Sequence, residues 1–248
     1  MASTTLDDAR DESSVNPREE FAAFLESNKQ WSDKVNQEDP NFLPELAKKQ
    51  EPAILWIGCA DSRVPETVIL NGLPGDVFTT RNIANQFLPD DNSVQAILQY
   101  AVGVAHVRHI IVVGHTNCGG IISAYNAAYP IDEPTPYTYH KGLDASNTIN
   151  SVDQWIAPLI QLAVSTPGLG TAEPGPERDR AVHELAIKNV ERQVDALCSS
   201  HVVRSAWAHA HGPPGPNSPK LVGVHGCLYH LESGLLEDLK ISRYRPSH

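Results

Sequence analysis

No Cys-x-x-Cys pair occurs among the four cysteines, Cys59, Cys118, Cys198 and Cys227. Few, scattered cysteines in a chain of this length argue against a disulfide framework. They fit a reducing compartment, with burial or metal binding as their use. No apolar run reaches the roughly 18 residues that suggest a membrane span. The stretch Met1 to Val15 has no apolar centre like a secretory signal. Nor is it arginine-rich and acid-poor like a mitochondrial transit segment. These absences together predict a cytoplasmic protein with a disordered tail over residues 1–15. Positive charge is also short: 19 Lys and Arg stand against 30 Asp and Glu, a formal charge of −11. That argues against nucleic acid and anionic membrane as partners, but not against a small anion held by local charge. No Gly-x-Gly-x-x-Gly turn follows a strand, so the common dinucleotide-binding reading falls away. No internal repeat is apparent.

What is present fits one folded domain over residues 16–248. Hydrophobic residues make up 41% and charged residues 20% of 248 positions, enough for a sizeable single core. Asn16-Pro17-Arg18-Glu19 reads as a helix start, with Asn16 as cap and Glu19 reaching back. Phe21, Phe24, Leu25 and Trp31 then recur at helical spacing. A short helix follows over Phe42 to Lys49. Strands are predicted from Ala53 to Cys59, Asp76 to Thr80 and His109 to His115, with helices between them. Ser93 is the expected cap of a helix running past Val94, Ile97, Leu98, Ala101, Val102 and Ala105, apolar on much of its circumference and so buried. Residues 130–150 read as loop, Val152 to Val164 as helix, and Thr166 to Pro176 as a connector. A long helix carries Val182, Leu185, Ala186, Val190, Val194 and Leu197. Pro213 to Pro216 is a turn-rich loop, and Leu221 to Tyr229 with Leu235 to Leu239 form a hairpin at the sheet edge. Alternating strands and helices of this kind predict an α/β fold with a mostly parallel central sheet flanked by helices.

Chemistry concentrates in two stretches. One is Cys59-Ala60-Asp61-Ser62-Arg63-Val64-Pro65, the other His115-Thr116-Asn117-Cys118-Gly119-Gly120. Each follows a short apolar run of the kind that forms a buried parallel strand. Open α/β sheets place their sites outside the carboxyl ends of such strands. Cys59, His115 and Cys118 offer two thiolates and an imidazole, which suits tetrahedral zinc with one position left open. On spacing alone, two buried cysteines and a capping histidine serve equally well.

The wording of three motifs goes further. Cys59 to Pro65, then Gly75-Asp76-Val77-Phe78-Thr79-Thr80-Arg81-Asn82-Ile83-Ala84-Asn85, then Gly114 to Gly120, resemble the β-class carbonic anhydrases in order and in gaps. Val224 to Tyr229 and Ser233 to Leu236 resemble that family's last strands. The resemblance covers about residues 16–240. It implies one Zn²⁺ per subunit held by Cys59, His115 and Cys118, and reversible hydration of carbon dioxide to bicarbonate and a proton. It implies that Arg63 holds Asp61 off the metal so that Asp61 orients the nucleophile, and that a freed Asp61 becomes a fourth ligand and closes the site. Trp56, Val64 and Arg81 match positions that form a non-catalytic, inhibitory bicarbonate site in one subgroup. The N-terminal helices are expected to pack on a second copy, giving a homodimer or dimer of dimers. Two rivals share these residues: a hydrolase of a related linear substrate such as carbon disulfide, and a zinc-bearing binding or sensor protein closed permanently by Asp61. Cys198 and Cys227 have no His or Asp partner in sequence and are read as buried. His183, His201, His209 and His211 are read as surface or capping residues, so no proton shuttle is named.

Overall fold

Apolar runs flanked by amphipathic segments become strands and covering helices in the computed structural model, which describes residues 16–130, 151–170, 173–209 and 218–246. The tail expected at 1–15, the loop at 131–150, the Pro213–Pro216 loop and His211 lie outside the described residues. The chain divides into two compact units, 1–50 and 51–248.

In the first unit, α1 spans Pro17–Glu38 and α2 spans Phe42–Leu46. Asn16 caps α1 by accepting from the Arg18 N–H, with proline in the first turn where its missing N–H costs nothing. Glu19 does reach back, but to the Asn16 side-chain amide at 3.3 Å. No residue of α1 is buried, and Phe21 is 62% and Leu25 59% exposed. The second helix is shorter than its sequence pattern, ending at Leu46 rather than Lys49.

The second unit is built on a sheet of order β2-β1-β3-β4-β5. Its strands are β1 (Ile54–Cys59), β2 (Val77–Asn82), β3 (His109–His115), β4 (Gly223–His230) and β5 (Leu235–Asp238). β1, β2, β3 and β4 run parallel, and β5 is antiparallel to β4. A short strand, β6 (Arg243–Tyr244), also pairs antiparallel with β4. The predicted hairpin is therefore real, but its first strand lies inside the sheet and only β5 is at the edge. β2 lies on one side of β1 and β3 on the other, so strand order reverses at β1. In open α/β sheets that crevice is where ligands bind. Cys59 ends β1 and His115 ends β3, both on its rim.

Helices α3 (Glu66–Ile69), α4 (Asn92–Gly103), α5 (Gly119–Ala128), α6 (Ser151–Ser165), α7 (Pro176–Ser199) and α8 (His201–His209) complete the unit. Leu55, Ile57, Ile110 and Val112 pack against Leu98 and Ala101 of α4, Val190 and Leu197 of α7, and Val203 of α8. Trp56 and Val113 belong to a separate cluster with Val64 and Cys227, the alternation expected of a sheet covered on both faces. One expectation for α4 changes: its cap is Asp91, which accepts from the Ser93 N–H. Val94, Leu98, Ala101 and Val102 are buried as expected, while Tyr100 on the outer face is 44% exposed. The helix begins earlier than expected, because the Asp91 carboxylate accepts the Ser93 N–H and so caps the first turn, where negative charge also favours the helix's positive end.

A candidate metal centre at the sheet's carboxyl edge

Cys59, His115 and Cys118 converge at the reversal of strand order. Their ligand atoms all lie within 4.8 Å of one another, and all three residues are buried. The two sulfurs are 3.9 Å apart. Zinc–sulfur bonds of about 2.3 Å in a tetrahedron place two sulfurs about 3.8 Å apart, so the pair is spaced for one ion. His115 donates from Nδ1 to the Thr116 carbonyl at 2.8 Å, which fixes its tautomer and leaves a lone pair on Nε2. That Nε2 is buried with no hydrogen-bond partner among the described residues. A buried polar atom is almost always satisfied, so an orphan lone pair beside two thiols marks a ligand position. The donor set fits zinc.

The sulfurs titrate as a pair. Cys59 is pushed down, first by its hydrogen bond with Cys118 and then by His115 and the Asp61 backbone. Cys118 moves up, because the same bond leaves it holding the shared proton in a buried place. Cys198 and Cys227 are each pushed up to about 11 by burial, which makes them unreactive at neutral pH.

The turn after Cys59 carries Asp61 and Arg63. Arg63 grips Asp61 with two parallel bonds, Nε to Oδ1 at 3.0 Å and a terminal nitrogen to Oδ2 at 2.7 Å. The Arg63 backbone N–H adds a third bond to Oδ1 at 2.9 Å. These hold the Asp61 carboxyl down at about 2. Asp61 Oδ2 lies 3.8 Å from His115 Nε2. The carboxylate thus borders the ligand cluster while latched to the arginine.

Arg81 lies beneath the same turn. It donates to the carbonyls of Cys59, at 2.8 Å, and of Asp61. Trp56 and Val64 are fully buried, and the Trp56 indole N–H has no acceptor among the described residues. The indole lies across Gly58: a Cβ there would fall 2.1 Å from its nitrogen. Glycine is required for that approach.

Sequence reasoning missed several supports. Asn189 on α7 donates to the Ala84 carbonyl at 2.9 Å, and Gln193 donates to Asn189 and accepts from the Phe87 N–H. They hold the turn at Ala84, whose φ is 60°. That turn abuts Gly120, where a Cβ would sit 2.6 Å from Ile83 Cγ2. The available signal was two amides, Asn189 and Gln193, on the apolar stripe of α7. Glu232, in the β4–β5 turn, binds Thr116 and Asn117. Nothing local in the sequence pointed to it. His183, expected in a surface or capping role, lines a cavity of about 410 Å³ beside His115 and Cys118, together with Arg178 and Glu232.

An open α/β sheet with a two-cysteine, one-histidine cluster at its reversal point defines a class: α/β proteins whose sheet edge carries a cluster able to hold a transition metal. Comparison with known proteins sharpens it. A model of the carbonic anhydrase family matches residues 54–236. The carbonic anhydrase of Emericella nidulans is 32% identical over 219 residues, 88% of this chain and 82% of that protein. A β-carbonic anhydrase of Aspergillus fumigatus is 38% identical with a TM-score of 0.70, covering 89% of this chain and 91% of the other. One of two tetrameric β-carbonic anhydrases of Sordaria macrospora is 32% identical with a TM-score of 0.71, covering 90% and 98%. The chain belongs to the β-carbonic anhydrase family.

Proposed function

We propose that the chain catalyses the reversible hydration of carbon dioxide to bicarbonate and a proton, with Cys59, His115 and Cys118 holding one zinc ion. The observation that carries this reading is the orphan Nε2 of His115 between two thiols, next to a carboxylate already latched to an arginine. When bound, zinc supplies a Lewis acid that lowers the pKa of water and so provides a nucleophile at neutral pH. His115 is held ready to bind by the Thr116 carbonyl. Asp61, ionised down to about pH 2, accepts a hydrogen bond and so orients the attacking oxygen toward the carbon of the substrate. Arg63 keeps Asp61 from becoming a fourth ligand. Because Asp61 is a carboxylate throughout the working range, its own titration does not set the pH dependence of turnover. The relatives' names favour carbon dioxide over carbon disulfide, and a sensor closed permanently by Asp61 has no use for the Arg63 latch.

Stopped-flow hydration of carbon dioxide against pH, on protein of measured zinc content, tests this. Activity rising with pH is the expected result; full zinc with no hydration at any pH overturns the reading.

A second reading rests on the unpartnered Trp56 N–H. We propose that bicarbonate also binds near Trp56, Val64 and Arg81. An anion that draws Arg81 away from the carbonyls of Cys59 and Asp61 loosens the turn that carries the latch, and so inhibits. Trp56→Phe is then expected to weaken bicarbonate inhibition; inhibition unchanged in that variant counts against the site. The apolar face of α1 (Phe21, Phe24, Leu25 and Trp31) supports packing on a second copy of the chain, and two adjacent thiols at a metal site suit a reducing, cytoplasmic location.

A further inference from the structure

Thr116 and Asn117 separate two of the ligands, and both are held from outside by one carboxylate. Glu232 Oε2 accepts from the Thr116 hydroxyl at 2.9 Å, and Oε1 accepts from the Asn117 side-chain amide at 2.8 Å. The Thr116 hydroxyl also accepts from the Leu231 N–H at 3.0 Å, so the threonine bridges the turn and the loop. The turn itself is fixed: Gly234 donates to the His230 carbonyl at 2.8 Å with a φ of 69°. Asn117 has a φ of 53°, a left-handed conformation that asparagine adopts more readily than most residues.

Two branches run inward from this clamp. The Thr116 carbonyl accepts from His115 Nδ1 at 2.8 Å and sets the ring's orientation. The Asn117 carbonyl accepts from Arg63 at 3.3 Å, and Arg63 in turn holds Asp61.

We propose that Glu232 is a positioning residue: by clamping Thr116 and Asn117 it fixes both the metal-binding ring of His115 and the Asp61–Arg63 latch. This rests on the zinc reading above. Hydrogen bonds on an exposed surface compete with water and are often worth little. Here both carboxylate oxygens engage adjacent residues of the very segment whose carbonyls make the inner contacts. Glu232 is also held below the usual carboxylate range, first by its own backbone N–H and then by the Thr116 hydroxyl, so it remains an ionised acceptor at neutral pH.

The test compares zinc-loaded wild type with Glu232→Ala and Glu232→Gln. Zinc release to a chelator, the pH dependence of hydration and the thermal midpoint are measured on each. Removing an outer-shell partner typically weakens metal binding about 10- to 100-fold. Glu232 acts one contact further out, so release about tenfold faster is expected for Glu232→Ala. Glu232→Gln should fall between, because its amide offers one acceptor oxygen instead of two. The pH profile should shift in Glu232→Ala but not further in an Arg63→Ala background, whereas faster zinc release should persist there. Wild-type zinc release together with a wild-type pH profile overturns the proposal, whether or not the thermal midpoint moves. If wild type holds zinc but hydrates nothing, the catalytic reading fails and zinc release still decides Glu232. If wild type takes up no zinc, both fail.

Discussion

His109 and His115 are the first and last residues of the same strand, β3. At the amino end, His109 Nδ1 lies 3.0 Å from His225 Nε2, and His225 Nδ1 lies 3.0 Å from the Ser242 hydroxyl. The Tyr244 ring meets His225 edge-on. At the carboxyl end, His115 has one nitrogen on a backbone carbonyl and the other buried and unpartnered beside two thiols. In the first cluster both nitrogens of His225 have partners. The cluster ties β6 and the segment before it to the sheet and leaves no lone pair for a metal between the two rings. The second is complete only when something accepts that lone pair. The presence of histidine in a strand therefore says little; what its nitrogens face separates a structural cluster from a candidate metal centre.

Substitutions at the two ends should behave differently, and the largest contrast comes from a ligand. Cys118→Ser is expected to reduce zinc content to a trace and hydration to near the uncatalysed rate, measured by metal analysis and stopped flow, with the fold retained by circular dichroism. Arg63→Ala acts less severely. It leaves the ligands in place but frees Asp61, whose carboxyl should rise from about 2 toward the ordinary value of about 4. Hydration at neutral pH is expected to fall about tenfold, the cost of one lost charge-assisted contact. Its onset should move to higher pH as the freed Asp61 competes for the metal. In wild type the latch contributes stability that is complete above about pH 4 and lost as pH falls through about 2. Arg63→Ala should remove that acid-side loss.

The smallest effect belongs to the amino end. Burial holds His109 and His225 below the usual histidine range, with Arg108 beside His109 and His109 itself acting on His225, against an opposing pull from Asp238. Groups depressed in this way contribute stability that is complete above about pH 6.5 and lost as pH falls through their folded values. His225→Phe should lower the thermal midpoint at pH 7 by about 2–4 °C, the equivalent of about 1 kcal/mol in a chain of this size. It should also flatten the loss of stability on acidification, and zinc content should not change. A loss of zinc in His225→Phe would break the comparison between the two ends.

The fold and the clustering of Cys59, His115 and Cys118 were legible for a physical reason. Parallel strands buried on both faces must be short apolar runs, and the residues that follow them must supply the chemistry. Cys59, Asp61, Arg63, His115 and Cys118 all stand at such strand ends. What was hidden acts across long separations or through backbone atoms. Arg81 could be read as an anion fork, but it also donates to the carbonyls of Cys59 and Asp61, which any residue would offer. Glu232 reaches a loop more than a hundred positions away. Asn189 and Gln193 are polar on a buried stripe, a mismatch between pattern and place that periodicity tends to pass over. β6 is too short to leave a pattern at all.

The central claim is that hydration depends on one metal ion at the carboxyl end of β3. Its most direct test removes the metal with a chelator and restores zinc in measured steps, following carbon dioxide hydration at each step. The account predicts activity that vanishes on removal, returns in proportion to zinc and levels off at about one ion per chain. Activity that survives removal, or zinc restored to that level without hydration, would contradict it.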